Sequence, residues 1–522
     1  MTMIKEKELI NYLKKKKKII LYGAGMVGGL VKTRLESNNL DEKVDCYIKT
    51  AVSGPEKYMG INVVGLDSIE EPSEDTIILV CALAETGKSM IQELEIRNIS
   101  NYIVISGELF ADLEEHYLEE QRLLMREATE KRYDVIFFSQ DNNATSGAFI
   151  SMGGLCDEIQ KKSGLRILVV LPRYGDGEKI LRKFNLDYTY MRRRTEWIRA
   201  RSAKLETTEE KSIYNAQEVE ELRSLIRNAG TRLIHISGIF VFAGAIAARE
   251  EGIPVIWHIR ENIFTQGNCF INEKEAYKLL NASRAVVCVS NHIYQAYSGL
   301  DENVVRIIYN GADDGKFYKR RDIFLSLMYR ILMVGHITQL KGQEILIRAL
   351  GCLKDKNMQL PQVIFVGGSE AGYLDYLREI MVCKGLERYI TFVGRTQKPE
   401  IYYKQADIAV SATSGGEGFD RVRIESMLSG CLLIANDLGA AREIVEDGQT
   451  GYLYESGNAD SLANAIIKVL RDIKKSREIA VNGQRLCMEK FTKSHNAEQI
   501  LTIYREIMGT KYGGQPGIPT GF

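Results

Sequence analysis

The sequence has no excess of either charge, since its 522 residues include 69 lysines and arginines against 69 aspartates and glutamates. A chain without net positive charge is not expected to be held on nucleic acid by its overall charge, so we predict no nucleic-acid partner. The nine cysteines form no Cys-x-x-Cys pair and no His/Cys cluster at zinc spacing. This excludes the sequence patterns of a disulfide framework and of a structural metal site.

Long apolar runs are also missing. No run reaches the roughly 20 residues that a membrane-spanning helix needs. The nearest candidate, residues 233–248, contains a histidine and is better interpreted as a strand, a turn and a buried helix. The lysines at 14–18 and the apolar segment after them imitate a signal peptide, but no small-residue cleavage site follows. We therefore expect a cytoplasmic protein.

The first 115 residues have the pattern of an α/β domain of their own. Gly23, Gly25 and Gly28 form a G-x-G-x-x-G directly after the first predicted strand, as in dinucleotide-binding loops. The acidic residue that would hold a ribose after the second strand is missing, because residues 47–50 read Tyr-Ile-Lys-Thr. We expect a Rossmann-like accessory domain at 1–115 that performs no redox chemistry and serves docking or assembly with a partner. An NAD-dependent oxidoreductase is the alternative.

Further strand and helix patterns divide the rest of the chain, whose length and composition predict about three domains in all. A charged helical segment at 116–132 is expected to connect the accessory domain to a second α/β domain at 133–325. A third α/β domain is expected at 326–485. A closing helix at 486–510 and a disordered, Gly/Pro-rich tail at 511–522 complete the predicted organisation.

Two glutamates, Glu417 and Glu425, are separated by seven residues beside an amphipathic segment. Apolar positions from Phe419 onward fall mostly on one helical face, so Glu417 is expected just before a helix and Glu425 about two turns inside it. A rise of about 1.5 Å per residue then places the carboxylates roughly 12 Å apart, whereas the paired carboxylates of retaining glycosidases lie about 5 Å apart. The spacing suits the two ends of a long ligand, with the helix N-terminus between them to receive a phosphate. A capped surface helix with two solvated glutamates is the alternative.

The surrounding segments carry a family resemblance. They follow one another in a fixed order at residues 332–350, 363–368, 390–395, the glutamate motif and 432–454. This series resembles the C-terminal half of the retaining glycosyltransferases of family four, which have the GT-B architecture of two Rossmann-like domains that face a cleft. The resemblance extends over about residues 133–510. It implies transfer of a sugar from a nucleotide diphosphate sugar with retention of the anomeric configuration.

The resemblance also implies roles for individual residues. Glu417 would contact the transferred sugar and Glu425 the nucleotide ribose, while Lys341 would bind the diphosphate. His336 stands where relatives usually have an arginine that shares this task. The catalytic set is thus Glu417, Lys341 and His336. The remaining donor-binding positions are Gly335, Gly418, Phe419 and Gly439.

Metal ions are not expected to take part. The chain contains no Asp-x-Asp, the usual holder of metal and diphosphate in the other large transferase architecture. We therefore expect Lys341 and the helix N-terminus to neutralise the leaving diphosphate, and no cofactor besides a UDP- or GDP-sugar as donor substrate. Asp420 and Ala440 replace glycines of the family pattern and put extra side chains near the donor phosphates.

Candidates for the acceptor side of the cleft lie in the second domain. Gly147 belongs to a loop that faces the predicted cleft, although a tight turn explains it equally well. His258, Arg260 and Glu261 fall at the end of a predicted strand, where open parallel sheets bind their ligands. Arg260 and Glu261 occupy positions where relatives often carry His and Asp, which suggests an acceptor or phosphate contact. A packed structural role is the alternative for His258.

Residues 190–205 contain six cations around Trp197. Such a cluster suits a peripheral membrane contact at the inner face of the membrane or an anionic acceptor, whereas a solvated basic face would have no function. The sequence as a whole predicts a retaining hexosyltransferase that uses a saccharide or lipid-linked acceptor in bacterial surface polysaccharide or glycoconjugate synthesis. The alternatives are the oxidoreductase, a sugar-nucleotide epimerase or hydrolase with the same fold, and a scaffold whose transferase half has decayed.

Overall fold

The computed structural model describes residues 5–50, 56–69, 72–127, 132–191, 197–201, 208–319, 322–326, 328–369, 372–396, 398–415 and 418–509. Three large sheets follow one another along these residues, and each is mostly parallel and packed against helices. Most strands are short runs of Val, Ile and Leu that are buried throughout, as expected for parallel strands with both faces covered. The predicted α/β class with Rossmann-like units is confirmed.

The first sheet and its helices form the accessory layer. Its strands are β1 (Lys18–Tyr22), β2 (Val44–Lys49), β3 (Glu56–Tyr58), β4 (Ile61–Gly65), β5 (Thr76–Val80) and β6 (Tyr102–Val104). Its helices are α1 (Glu6–Leu13), α2 (Met26–Ser37), α3 (Ala84–Ile96) and α4 (Gly107–Glu127). The strand order is β3-β4-β2-β1-β5-β6, and only the edge pair β3 and β4 is antiparallel.

The second sheet and its helices form the central layer. The sheet consists of β7 (Val135–Ser139), β8 (Ile167–Leu171), β9 (Asp187–Tyr190), β11 (Leu233–Ser237), β12 (Val255–Ile259), β14 (Ala285–Cys288) and β15 (Val305–Ile307), and β10 (Ile198–Ala200) pairs separately with β13 (Asn268–Phe270). The helices are α5 (Gly147–Ser163), α6 (Glu178–Lys183), α7 (Thr208–Ala229), α8 (Ala243–Glu250), α9 (Glu273–Asn281), α10 (Asn291–Ala296) and α11 (Asp314–Phe317). The parallel order is β15-β14-β12-β11-β7-β8-β9.

The third sheet and its helices form the C-terminal layer. Its strands are β16 (Arg330–Val334), β17 (Gln362–Val366), β18 (Ile390–Gly394), β19 (Ile408–Ser411), β20 (Leu432–Asn436) and β21 (Tyr452–Tyr454), in the parallel order β18-β17-β16-β19-β20-β21. Its helices are α12 (Gln343–Asp355), α13 (Tyr373–Lys384), α14 (Glu400–Tyr403), α15 (Arg421–Leu428), α16 (Ala441–Ile444), α17 (Ala459–Arg471) and α18 (Ile473–Lys490). A last helix, α19 (Lys493–Met508), returns to the central layer.

Residues 116–127 of the expected connector at 116–132 are part of a longer core helix. Helix α4 already begins at Gly107, because the hydroxyl of Ser106 accepts a hydrogen bond from the Leu109 amide. Its Tyr117 ring packs edge-on against Tyr174 of the central layer, with the ring centroids 4.9 Å apart. Residues of α1, α2, α4, the central sheet and α19 belong to one hydrophobic core. The accessory layer is therefore packed onto the central layer rather than tethered by an exposed linker.

The closing helix also differs from its expected bounds. The predicted range 486–510 includes the end of α18, which stops at Lys490, and then α19, which Thr492 caps through its side chain. Asn496 Nδ2 donates to the Tyr309 carbonyl of the central layer at 2.7 Å, which ties α19 there. Among the described helices, none is long and apolar enough to cross a membrane. The predicted disordered tail at 511–522 lies outside the described residues.

The basic segment at 190–205 does not present its aromatic residue. The Trp197 side chain is buried, stacks on Trp257 with centroids 5.4 Å apart, and donates its indole N–H to the Ile239 carbonyl at 2.7 Å. A membrane anchor must be exposed, so the predicted interfacial role of Trp197 is wrong. Residues 192–196 and 202–207, which carry four of the six cations, lie outside the described part of the chain.

Candidate active site

The helix of the glutamate motif is shorter than predicted. The carboxylate of Asp420 accepts a hydrogen bond from the Val422 amide at 3.1 Å and caps α15, so the helix starts at Arg421 and contains eight residues. Glu425 lies just over one turn inside it, not two. The separation of the two carboxylates stays a prediction. Glu417 lies outside the described residues. The preference of Asp for capping positions was the sequence signal for this start.

Asp420 belongs to a buried network of polar side chains in the C-terminal layer. Its carboxylate accepts from the Ser411 hydroxyl at 2.7 Å and lies 3.5 Å from the guanidinium of Arg423. Arg423 also donates to the Asn436 side chain at 3.0 Å. The charge of Asp420 is thus compensated within the C-terminal layer. The predicted extra side chain near the donor phosphates serves as a helix cap.

Glu425 forms an ion pair that the sequence did not reveal. Its Oε1 accepts from Arg421 Nη2 at 2.8 Å, and Arg421 Nη1 donates to the Gly147 carbonyl of the central layer at 3.3 Å. Burial raises the pKa of the Glu425 carboxyl above its ordinary value, although the Arg421 cation opposes the shift. Arg421 thereby connects the glutamate motif to Gly147, a predicted cleft residue. An arginine inside the motif was the only sequence signal.

The loop after β16 carries the predicted diphosphate ligands. Lys341 ends a short 3-10 turn, and a Cβ on Gly335 would lie 3.7 Å from its Cδ, so the lysine stem lies along Gly335. His336 is exposed, and its ring lies close to Gly368 after β17. The Ser414 amide donates to the Leu340 carbonyl at 2.8 Å. The loops after β16 and β19, neighbours in the sheet, are thus joined at its carboxyl edge, where Gly439 also follows β20.

Gly418 and Phe419 connect the motif to the central layer. The Ser290 hydroxyl donates to the Gly418 carbonyl at 2.6 Å, and a Cβ at Gly418 would lie only 2.3 Å from the Arg260 carbonyl oxygen. The Phe419 ring packs against Tyr309, with ring centroids 5.5 Å apart, and is buried. These two residues hold the loop in place through close packing.

His258 lies in the interior, contrary to the prediction that it lines the cleft. Its side chain is fully buried, and its Nδ1 lies 3.3 Å from both His235 Nε2 and Arg260 Nη2. Since the guanidinium can only donate, His258 accepts at Nδ1. His235 then donates through Nε2 and accepts at Nδ1 from the Tyr504 hydroxyl, 2.7 Å away on α19. Burial keeps the pKa of both histidines well below the ordinary value, so both rings are neutral. His258 is thus a structural residue in a buried chain of hydrogen bonds.

Arg260 and Glu261 are also largely enclosed. Arg260 hydrogen-bonds the Asn310 side chain, and burial lowers its pKa to about 10. The Glu261 carboxylate accepts from the Ile239 amide at 2.9 Å, and burial raises its pKa. Glu261 therefore orders a central-layer loop. Of the predicted acceptor residues, Gly147 and Arg260 contact the glutamate motif through their backbone carbonyls, at Arg421 and Gly418 respectively.

The G-x-G-x-x-G of the accessory layer is a packed turn. A Cβ on Gly28 would lie 2.1 Å from the Gly23 carbonyl oxygen, and Gly23 has a φ of +118°. The hydroxyls of Tyr47 and Tyr58 donate to the carbonyls of Gly28 and Gly25, at 3.2 and 3.0 Å respectively. The turn and its packing account for Gly23 and Gly28 without a nucleotide.

A cluster of two carboxylates and a histidine lies between helices of the accessory layer. No spacing in the sequence predicted it. Glu6, Asp112 and His116 are the one group of metal-ligand type within the described residues. Arg34 Nε donates to Glu6 Oε1 at 2.7 Å, and His116 Nδ1 lies 2.5 Å from Glu6 Oε2. Both carboxylate oxygens are thus engaged, and the cluster connects α1, α2 and α4.

Comparison with known proteins identifies the class. Residues 145–316 match the family model described as Glycosyltransferase Family 4, and residues 329–472 match the model described as Glycosyl transferases group 1. The crystal structure of Anabaena Alr3699/HepE in complex with UDP has a TM-score of 0.60 at 22% identity, over 72% of this chain and 100% of that chain. The likeness shows the fold and confirms the predicted GT-B architecture. The two matched ranges therefore both resemble glycosyltransferases, which supports that class for this chain.

Curated relatives are similar to this chain over part of its length and part of their own. An uncharacterized glycosyltransferase, MJ1607 of Methanocaldococcus jannaschii, is 28% identical over 228 residues, which is 40% of this chain and 56% of that protein. The lipopolysaccharide core biosynthesis mannosyltransferase LpcC of Rhizobium leguminosarum is 26% identical over 177 residues, 34% of this chain and 50% of its own length. The chain thus spans about half the length of these curated relatives.

Proposed function

We propose that the protein is a retaining glycosyltransferase that moves a hexose from a nucleotide diphosphate sugar to a saccharide or lipid-linked acceptor. The observation that carries the proposal is the junction of two loops at the carboxyl edge of the third sheet. The Lys341 loop and the loop that leads into the glutamate motif meet there through the Ser414 to Leu340 hydrogen bond. Ligands of open parallel sheets bind at this edge.

In this proposal the C-terminal layer binds the donor and the central layer the acceptor. Glu417 positions the sugar and stabilises charge in the transition state, Lys341 and His336 face the diphosphate, and Glu425 receives the ribose. Gly335, Gly418, Phe419 and Gly439 shape the donor site. Arg421 adds a second cation beside Glu425. UDP is the first nucleotide to test, because it was bound in the structural neighbour.

The reaction needs no protein nucleophile on this proposal. The acceptor oxygen attacks the anomeric carbon from the face of the leaving group, and the bond between that carbon and the β-phosphate oxygen breaks. The departing diphosphate takes the acceptor's proton. Lys341 compensates the charge that develops on the diphosphate, so no metal ion is required. The relative LpcC acts in lipopolysaccharide core biosynthesis, which supports a role in bacterial surface polysaccharide or glycoconjugate synthesis.

The domain division remains part of the proposal: an accessory domain at 1–115, an acceptor domain at 133–325 and a donor domain at 326–485. A transfer assay tests the activity. The full chain is incubated with UDP-glucose, UDP-N-acetylglucosamine or GDP-mannose and a panel of saccharides, and mass spectrometry detects the added hexose. Proton NMR of the new linkage reports retention. Free sugar alone, an epimerised donor, or NAD as the co-purifying nucleotide would favour one of the rival functions.

A further inference from the structure

A cavity of about 520 Å³ lies where the three layers meet. This volume is within the range of roughly 300–1,000 Å³ that small-molecule sites occupy. Its central-layer wall consists of the loops after β7 and β8, and its outer wall is the accessory layer around Met26 and Tyr58. Arg395, directly after β18, closes it from the C-terminal layer. The cavity thus opens at the carboxyl ends of the central strands.

The cavity is adjacent to the candidate donor site. Asn142, Asn143 and Thr145 line it and belong to the loop that leads into Gly147. The Gly147 carbonyl accepts from Arg421, which is paired with Glu425. An acceptor bound in the cavity would therefore lie beside the glutamate motif.

The carboxylates that line the cavity accept hydrogen bonds or form ion pairs with other residues of the protein. Asp176 accepts from the Ala144 amide at 2.8 Å, and Glu36 pairs with Lys32. The buried Glu178 accepts from the Tyr117 and Tyr188 hydroxyls at 3.2 and 3.1 Å and pairs with Arg182 at 3.0 Å. Glu36 and Glu178 are thus each paired with a cation, whereas Asp176 is held at one oxygen by a backbone amide and keeps its charge.

Three other cations of the cavity have no such partner. The side chains of Arg173, Lys179 and Arg395 are exposed, and none of them makes a hydrogen bond or a close ion pair with any residue of the described ranges. The Arg173 charge does act at longer range on Glu114 and Asp141, where it opposes the rise of the carboxyl pKa that burial causes. Arg173 and Lys179 come from the central layer and Arg395 from the C-terminal layer. Unpaired cations on two walls of one cavity attract an anion, and a guanidinium binds phosphate or carboxylate through two parallel hydrogen bonds.

We propose that this cavity is the acceptor site and selects a saccharide that carries an anionic group, either a phosphate or a carboxylate, with the accessory layer as its outer wall. The inference rests on the proposed transferase function and assigns the substrate class of its acceptor side. It also gives the accessory layer a role in substrate binding. The glycine turn supplies part of the wall and holds Met26 at the mouth, where its side chain is 46% exposed.

Binding measurements on the full chain test the proposal. Calorimetry at low salt and saturating UDP compares glucose 6-phosphate, glucuronic acid and glucose. We expect one or both anionic sugars to bind at least tenfold more tightly than glucose, and a preference between them identifies the anion. Replacing Arg173, Lys179 and Arg395 together by Gln should abolish that difference and leave UDP affinity unchanged. Lys183→Gln, on the same helix as Lys179 but outside the cavity, is the matched control and should change neither affinity.

A second variant tests the outer wall. Met26→Trp fills the cavity from the accessory layer and should weaken binding of the anionic sugar at least tenfold without changing UDP affinity. Equal affinities for glucose and both anionic sugars would overturn the proposal, as would a loss of UDP affinity in the triple variant or full sugar binding in Met26→Trp. A wild-type chain that binds neither UDP nor GDP would instead contradict the proposed transferase function.

Discussion

Arg421 Nη2 donates to Glu425 Oε1 at 2.8 Å across one turn of α15, and the same guanidinium reaches the Gly147 carbonyl of the central layer at 3.3 Å. The side chains of Arg421 and Glu425 are 18% and 9% exposed, so solvent screens this pair only in part. The Glu425 carboxylate therefore accepts a hydrogen bond from Arg421, and in the proposed function it would also accept one from the ribose of the donor.

Arg421 and Glu425 should be coupled in stability. Removing one partner leaves a largely buried charge without its hydrogen bond, which costs about 1.5–3 kcal/mol. We expect Arg421→Met to lower the free energy of unfolding by about this amount in the wild-type chain and by clearly less in a Glu425→Gln background. Urea unfolding of the two single variants and the double variant measures this. The exposed pair of Arg378 and Asp375 on α13 is the control, where we expect less than about 1 kcal/mol of coupling. Strict additivity at Arg421 and Glu425 would show that the pair is not formed in solution.

The two glutamates of the motif should affect different kinetic constants. Glu417→Gln is expected to lower kcat more than it raises the donor KM, because its proposed contacts strengthen in the transition state. Glu425→Gln should chiefly raise the donor KM, by roughly tenfold to a hundredfold if a bond of about 1.5–3 kcal/mol to the ribose is lost. Steady-state kinetics of both variants at varied donor concentration gives the two constants. The opposite pattern, with turnover lost only in Glu425→Gln, would reverse the assigned roles.

The layers were predictable because their strands are short apolar runs separated by turn residues. Residues 18–22, 135–139 and 432–436 each form a largely buried strand of a mostly parallel sheet, and their short length and apolar composition favour a strand over a helix. The family resemblance assigned both the Lys341 loop and the glutamate motif to donor binding, and the loops after β16 and β19 are joined by the Ser414 to Leu340 hydrogen bond. Local patterns and family order therefore accounted for the architecture and for the neighbourhood of the donor site.

Side-chain environments were less predictable because they depend on contacts between distant segments. His258 ends a strand as predicted, yet its burial follows from His235 and from Tyr504, 269 residues beyond His235 in the chain. Trp197 appeared interfacial beside its arginines, but Trp257 and Phe242 enclose it. The residues around His258 and those around Trp197 have no regular spacing in the sequence, so no sequence pattern could predict these contacts. The start of α15 was misjudged for a local reason, since the capping carboxylate of Asp420 was read as a phosphate neighbour.

Activity should not depend on a metal ion. On the proposed mechanism Lys341 compensates the leaving diphosphate. The one carboxylate and histidine cluster of the described residues lies in the accessory layer, with its Glu6 already paired to Arg34. We expect transfer to continue at an unchanged rate after treatment with EDTA and removal of the chelate. An inactive chelated enzyme that recovers on addition of manganese would show that a cation takes part. Lys341→Ala should lower the rate in the same assay.

Substitutions of the glycines in the accessory turn should change the stability of the protein by different amounts. They should not change nucleotide binding. Gly28→Ala places a Cβ 2.1 Å from the Gly23 carbonyl, so the backbone must shift, and overpacking of this kind costs about 1–3 kcal/mol. Gly25→Ala meets nothing within 4 Å and is the matched control, which should be nearly neutral. Thermal unfolding of the two full-length variants tests this. Calorimetry of the wild type with NAD and NADP should show no tight binding, and affinity that either substitution removes would restore the dinucleotide role.

Glu261 should make stability depend on pH. Burial raises the pKa of its carboxyl, and this effect exceeds the opposing influence of Arg260 and of the donors Ile239 N–H and Gln140. The folded state therefore binds the proton more tightly than the unfolded state. Its contribution to stability is fully present below the ordinary carboxyl pKa and is lost as the pH rises through the raised value.

Glu261→Gln removes this titration, so we expect the free energy of unfolding of the wild type to fall relative to the variant as the pH rises through that window, by about 1.4 kcal/mol for each unit of pKa shift. Chemical denaturation of both proteins between pH 4 and pH 8, on the order of one pH unit per step, measures the difference. Glu302→Gln, at an exposed position of the central layer, is the control and should track the wild type. A pH-independent difference between wild type and Glu261→Gln would mean that the carboxyl is not desolvated in solution, and a difference of opposite sign would mean that Arg260 and the Ile239 amide outweigh its burial.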